Sequence, residues 1–260
     1  MWKEKEKKPY CMYLLWAFLI SWLSIATIIW LEQLAVFQPT VEKTIVMMLI
    51  AFGAGLSPAY AVFIVLKQNG KIKGFKEFWK RIVRIEKKKE GLFVLVGVMG
   101  YQLIKCILTE TSQGYPIYMF LVFLPVMIIG GGLEEIGWRG FLQPALEEKI
   151  GFIKASFLQG IIWAVWHIPL WFVQNANQSN FRFDSFLFYC ITFSFSLALV
   201  YKVSGSVLFV IILHAWGNTV LGGMYSFTSL AYGIGIDTLV LYLVEIVVCC
   251  LLAKRQNKLG

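Results

Sequence analysis

The sequence predicts an all-α, polytopic integral membrane protein of about eight transmembrane helices, with both termini in the cytoplasm. Of the 260 residues, 58% are hydrophobic and only 15% are charged, with a mean hydropathy of +0.70. That leaves too little polar surface for a water-soluble domain of this size. The apolar residues gather in runs long enough to cross a bilayer. The charges sit in the short segments between those runs, so the net charge of +9 belongs to a membrane topology and to no nucleic-acid partner.

A bilayer core takes about 20 apolar residues of helix, which places the runs at about 10–30, 44–66, 91–108, 117–138, 153–173, 185–201, 206–224 and 236–253. The first follows a Lys-rich start but is too long for a signal-peptide apolar region and has no small-x-small cleavage site, so it is expected to stay in the protein. With the N-terminus inside, the inner segments carry 21 of the 24 Lys and Arg, and the outer ones only Lys43 and Arg182. Cations in short loops set orientation, hence the cytoplasmic termini. The remaining cation, Lys105, falls near the outer end of the third run and is expected to snorkel. An Asn-Gln-Ser sequon at Asn177 falls outside and is read as chance. Between the second and third runs, Lys71 to Lys89 spaces Ile72, Phe75, Phe78, Trp79, Ile82 and Ile85 among cations. This predicts a basic amphipathic helix on an anionic inner leaflet. No repeat or flexible linker interrupts residues 1–260, which are read as one membrane-embedded domain. The five cysteines (Cys11, Cys106, Cys190, Cys249 and Cys250) are odd in number, lie in apolar stretches and lack C-x-x-C spacing. Neither a disulfide framework nor a thiolate zinc site is expected.

Ionisable side chains are costly in hydrocarbon, so where they cluster they point to function. Three places stand out. The fourth run ends in Gly130-Gly131-Gly132-Leu-Glu134-Glu135-Ile-Gly-Trp-Arg139, the fifth carries Trp163-Ala-Val-Trp-His167, and the seventh carries His214-Ala-Trp-Gly-Asn218; these are the only two histidines. Glu135 and Arg139, four apart on a helix, share a face and can pair, while Glu134 turns about 100° away and stays free. His214 and Asn218 share a face for the same reason. Gly130 to Gly132 have no Gly-Lys-Ser/Thr after them and read as close helix approach, not as a phosphate loop.

Glu-Glu-x-x-x-Arg, then aromatic-x-x-x-His, then His-x-x-x-Asn on successive spans resembles the CPBP family of intramembrane proteases. That family includes the type II CAAX prenyl endopeptidases and the bacteriocin-processing and self-immunity (Abi) proteins. The likeness covers residues 117–224 and implies peptide-bond hydrolysis with catalytic roles for Glu134, His167, His214 and Asn218, Glu135 and Arg139 belonging to the same signature. Trp163 stands where the family usually has Phe, read as a conservative aromatic change.

Hydrolysis of an amide needs an activated water, a stabilised oxyanion and a proton for the leaving amine. Without a metal, Glu134 would be the general base for water held with His167, and His214 and Asn218 would donate to the oxyanion, worth ~3–4 kcal/mol per donor. With zinc, Glu134, His167 and His214 would be the ligands and Glu135 the base. The His-Glu-x-x-His signature of soluble zinc proteases is missing, and the metal-free version is preferred, although the family's customary label is metalloprotease. Ser156, Ser194, Ser196 and the cysteines have no neighbouring base to make them nucleophiles. Two other functions fit less well: a non-catalytic scaffold or immunity protein of the same family, and a proton-coupled transporter, for which repeat symmetry is lacking. The expected substrate is a membrane-associated peptide or protein. The compact Lys- and Ile-rich chain suggests a bacterial plasma membrane. Counting from a turn at Ile150-Gly151 puts Glu134 and His167 at one level, each about 16 residues or ~24 Å away. The expectation is one water-sized polar cavity in the inner half of the membrane, opening to the cytoplasm.

Overall fold

The computed structural model describes residues 9–36 and 39–259, so Lys3, Lys5, Lys7 and Lys8 of the basic N-terminus lie outside the described residues. The architecture is all-α: α1 Pro9–Gln33, α2 Pro39–Leu49 running into a π-turn at Ile50–Gly55, α3 Ser57–Gln68, α4 Phe75–Ile82, α5 Lys88–Thr109, α6 Met119–Ile129, α7 Glu135–Gly137, α8 Gln143–Trp166, α9 Phe183–Ser204, α10 Val207–Val220, α11 Thr228–Tyr232 and α12 Ile236–Leu259. Two isolated bridges, Ser112 to Tyr225 and Leu221 to Tyr225, are the other backbone pairings of note.

Among the described residues six stretches are long and apolar enough to cross a membrane, and the chain is an integral membrane protein. The difference from about eight runs has a physical origin. Met119–Phe172 counts as one stretch of 54 residues, far longer than a ~30 Å hydrocarbon core needs at about 1.5 Å per residue. Gly151, with φ 76° and ψ 165°, breaks its helical path, at the position where the turn is expected. Such a φ is open to glycine and strained for other residues. Separately, α10 has only 14 residues.

The helix α9 is the axis of the bundle. Its apolar window is 78% buried against 22% for α1 and 28% for α5 and α12, so the outer helices keep Leu, Val and Phe side chains facing lipid. At Gly160 on α8 an added Cβ would lie 2.5 Å from the Ile191 Cα on α9. Glycine there lets the two backbones approach, which is how packing replaces a hydrophobic driving force between helices in lipid.

The connections sort to two ends. At one, Glu86 and Lys87 N–H groups donate to the Ser204 carbonyl (3.2 and 3.0 Å), and Lys202 pairs with Glu147 at 2.5 Å near the Gly151 turn. At the other, Gln113 N–H donates to Met224 O (3.0 Å), Ser226 N–H to Thr111 O (2.8 Å) and Arg182 N–H to Leu230 O (2.9 Å), and Asn175 Nδ2 donates to Glu32 (3.2 Å). Glu86, Lys87, Glu147, Lys202 and Ser204, read as inner, thus share the first end, and Glu32, Thr111, Asn175, Arg182 and Ser226, read as outer, share the second.

Two local expectations change. The amphipathic helix is only α4, eight residues long. Phe78 and Ile82 turn into the core, Phe78 against Phe63 at 5.3 Å, leaving Phe75 and Trp79 exposed and stacked on each other at 6.2 Å. Lys105 does not snorkel. It is buried and pairs with Glu245 of α12 at 2.7 Å, while Gln102 (2.7 Å) and Ser196 (2.6 Å) donate to the same carboxylate. A hydrogen-bonded partner at hand is less costly than stretching to the interface.

Candidate active site

The segment after α6 is not a regular helix. Gly132–Glu134 is a 3₁₀ turn, α7 is a single turn, and Trp138–Leu142 is a π-turn. The expected continuous helix through Arg139 is therefore replaced by mixed turns, a feature that recurs at functional sites. Glu135 and Arg139 still pair, NH1 to Oε1 at 3.0 Å, both fully buried. The same Glu135 oxygen lies 2.7 Å from His214 Nδ1. That oxygen also accepts from the guanidinium, so His214 Nδ1 is read as the donor and Nε2 as the nitrogen left for other partners.

His167 reaches the same state by another route. Pro169 cannot continue α8, and the His167 N–H turns back to Ala164 O at 3.2 Å. The Trp163 carbonyl is thereby released from the regular i+4 ladder and accepts from His167 Nδ1 at 2.8 Å. A carbonyl only accepts, so Nδ1 is again the donor and Nε2 the free nitrogen. This hydrogen bond fixes both the tautomer and the ring orientation of His167.

Trp163 joins these groups. Its indole N–H donates to Glu134 Oε2 at 2.9 Å. Its ring meets His167 edge-on at 5.6 Å and His214 at 5.2 Å, and the Arg139 guanidinium lies 5.3 Å from its centre. The reading of Trp163 as a conservative replacement for Phe is thus corrected, because Phe has no N–H to offer Glu134. The signal was present in the residue type, though not the partner. A Cβ on Gly131 would lie 2.5 Å from Asn218 Nδ2 and 3.0 Å from His214 Nε2, so the glycine run lets the backbone come up against both side chains.

Glu134, His167, His214 and Asn218 all line one cavity of about 180 Å³, room for several waters where one was expected. Its remaining wall is largely apolar, and Ser21 Oγ, on α1, is buried in it with no hydrogen-bond partner. Glu135 and Arg139 stand behind this wall and hold His214. Among the described residues no three His, Cys, Asp or Glu side chains form a metal-holding group. The zinc set of Glu134, His167 and His214 does not fit as placed, and no step is derived through a metal. The lining also contains no residue of the turns at Gly151 and Gly205, so the expected inward opening has no support in it.

Residues 116–220 match the family model of the type II CAAX prenyl endopeptidases, Rce1-like. The chain is also 36% identical over 78 residues to CAAX prenyl protease 2 of Methanococcus maripaludis, a match covering 30% of this chain and 28% of that relative. Glu134, Trp163, His167, His214 and Asn218 all fall within the matched segment, whereas Ser21 lies outside it. That segment is thus similar to the Rce1-like CAAX proteases, and the chain matches little more than a quarter of the length of that curated relative.

Proposed function

We propose that the chain, as a single membrane-embedded domain with both termini cytoplasmic, is an endopeptidase that hydrolyses a peptide bond in a membrane-associated peptide or protein. The observation that carries this reading is the convergence of Glu134, His167, His214 and Asn218 on one cavity, with both imidazoles held through Nδ1. Water between the Glu134 carboxylate and His167 Nε2 loses its proton to Glu134 as its oxygen attacks the substrate carbonyl. The carbonyl π pair moves to oxygen, and Asn218 Nδ2 donates to the resulting oxyanion. His214 adds a second donor only as imidazolium, since its Nδ1 proton already faces Glu135; the Glu135 carboxylate balances that charge. The proton on Glu134 then passes to the leaving nitrogen as the C–N bond breaks. Trp163 keeps the carboxylate aimed throughout, and the apolar wall limits competing water.

The substrate class is peptide maturation, bacteriocin processing or self-immunity in a plasma membrane, on the basis of the family and the cation distribution. Mapping of peptide termini in cells carrying wild type or Glu134→Gln tests this. A small set of precursors should accumulate in the variant. Identical termini in both, with any phenotype retained, would instead leave a non-catalytic scaffold of the same family.

A further inference from the structure

Helix α1 lies outside residues 116–220, yet it supplies part of the cavity wall. Tyr13, Ala17, Ser21 and Ile25, four apart, belong to its buried face, and Ser21 and Ile25 line the cavity with Glu134 and His167. A serine or threonine inside a membrane helix commonly bonds the carbonyl four residues back. Ser24 does so with Ile20 O at 2.7 Å, and Thr27 with Leu23 O at 2.9 Å. For Ser21 the corresponding carbonyl is that of Ala17, and other side chains occupy it. Ser57 Oγ, at the start of α3, donates to it at 2.9 Å, and Trp166 Nε1, at the end of α8, at 3.3 Å. A carbonyl has two lone pairs. The Ser21 hydroxyl is left without a hydrogen-bond partner, in a residue only 1% exposed. α1 is also pinned beside His167. Trp22 Nε1 donates to Trp166 O at 3.1 Å, and the Trp166 ring meets the His167 ring edge-on at 4.6 Å.

We propose that Ser21 is a substrate-binding residue of this cavity, its hydroxyl hydrogen-bonding to the main chain of a bound peptide. This rests on the protease reading and deepens it. A peptide that leaves water for a cavity walled by Ile25, Leu170, Phe181 and Phe186 buries N–H and C=O groups that need partners. Those four side chains suit apolar residues of the peptide and offer its main chain nothing. A hydroxyl can donate to a carbonyl or accept from an amide N–H, so Ser21 meets the need in either register. The two Trp bonds between α1 and α8 hold it in a fixed relation to His167, and so fix which amide of the peptide it meets relative to the one under attack. Ser21 takes no part in bond breaking. Its loss weakens the hold on the peptide and leaves the chemistry at Glu134 as it was.

The test reads binding and needs no cleavage. Full-length Glu134→Gln protein in lipid nanodiscs is offered a pool of capped apolar hexapeptides, and the one best retained relative to empty nanodiscs becomes the probe. It is titrated with and without Ser21→Ala, and then in copies that carry one backbone ester at a time. Ser21→Ala should weaken binding about 2- to 12-fold, the span of one neutral hydrogen bond. One ester copy should bind more weakly with Ser21 present and lose nothing further with Ser21→Ala, the coupling that marks a direct contact. Tm without peptide should hold or rise, because a buried hydroxyl that lacked a partner has gone. Ser24→Ala, which removes a hydroxyl bonded within its own helix, should leave binding unchanged. Equal affinity with and without Ser21→Ala, or no peptide retained above empty nanodiscs, would overturn the inference. So would a lower Tm with every ester copy weakened alike, which would make the hydroxyl structural. A chain that binds as expected yet cleaves none of the retained peptides with Glu134 in place would fail only the protease reading.

Discussion

Trp163→Phe isolates one hydrogen bond. The substitution keeps a six-membered ring between the imidazoles, now 5.6 and 5.2 Å from the indole, and leaves the Trp163 carbonyl that holds His167 untouched. What disappears is the indole N–H that donates to Glu134 at 2.9 Å. A hydrogen bond to a charged group contributes about 1.5–3 kcal/mol, which at about 1.4 kcal/mol per decade is a loss of roughly 10- to 150-fold in kcat if the bond aims the base. KM should change little, because substrate is not predicted to touch the indole nitrogen. The assay is cleavage of the accumulated precursor by purified protein in lipid nanodiscs, with Tm measured alongside. The smaller ring also leaves space in a buried site, and that loss belongs to Tm and yield. Unchanged kcat per folded molecule would refute the positioning role, whatever happened to Tm.

Other substitutions separate support from chemistry. Glu135→Ala and Arg139→Ala each strand a buried charge at a cost of about 3–5 kcal/mol, so both should lower yield in the membrane; Glu135→Ala also frees the His214 ring, removing activity from what remains. Gly131→Ala puts a methyl within reach of Asn218 and His214; overpacking of about 1–3 kcal/mol should leave an inserted protein with much reduced cleavage, and full activity would mean that the backbone does not press on these groups. Thorough chelation of purified enzyme should leave cleavage intact, whereas loss on chelation with recovery on zinc would return Glu134, His167 and His214 to the role of ligands.

What could be read in the sequence was what local periodicity controls. The Glu135–Arg139 pair follows from four-residue spacing, and Gly151 takes the positive φ that a turn midway between Glu134 and His167 required. The apolar runs reappear largely as helices, with six stretches among the described residues long enough to span and the fourth run leaving its helix after Ile129. Contacts across helices were not legible, because spacing along one helix says nothing about its neighbour's rotation. His214 meeting Glu135, the Trp163 N–H meeting Glu134, and Glu245 capturing Lys105 are all of that kind. Counting residues from a turn gave a depth for Glu134 and His167 but no direction of access. That direction depends on how side chains from neighbouring helices fill each end of the bundle, which spacing along one helix does not specify. The 3₁₀ and π turns around Glu134 were hidden for a related reason: nothing in Gly-Gly-Leu-Glu-Glu-Ile-Gly-Trp-Arg forbids a regular helix, and only its packing partners select the irregular one.

The most direct measurement of the central claim is cleavage of one identified precursor by purified wild type, Glu134→Gln and Glu134→Asp, each shown to be folded and inserted. The carboxamide of Gln fills nearly the same space and can still accept from Trp163, but it cannot take a proton from water. The account predicts that Glu134→Gln loses about 10²–10⁴-fold in kcat, the usual span of general-base catalysis, while Glu134→Asp keeps part of the activity. Cleavage by Glu134→Gln at the wild-type rate would contradict it.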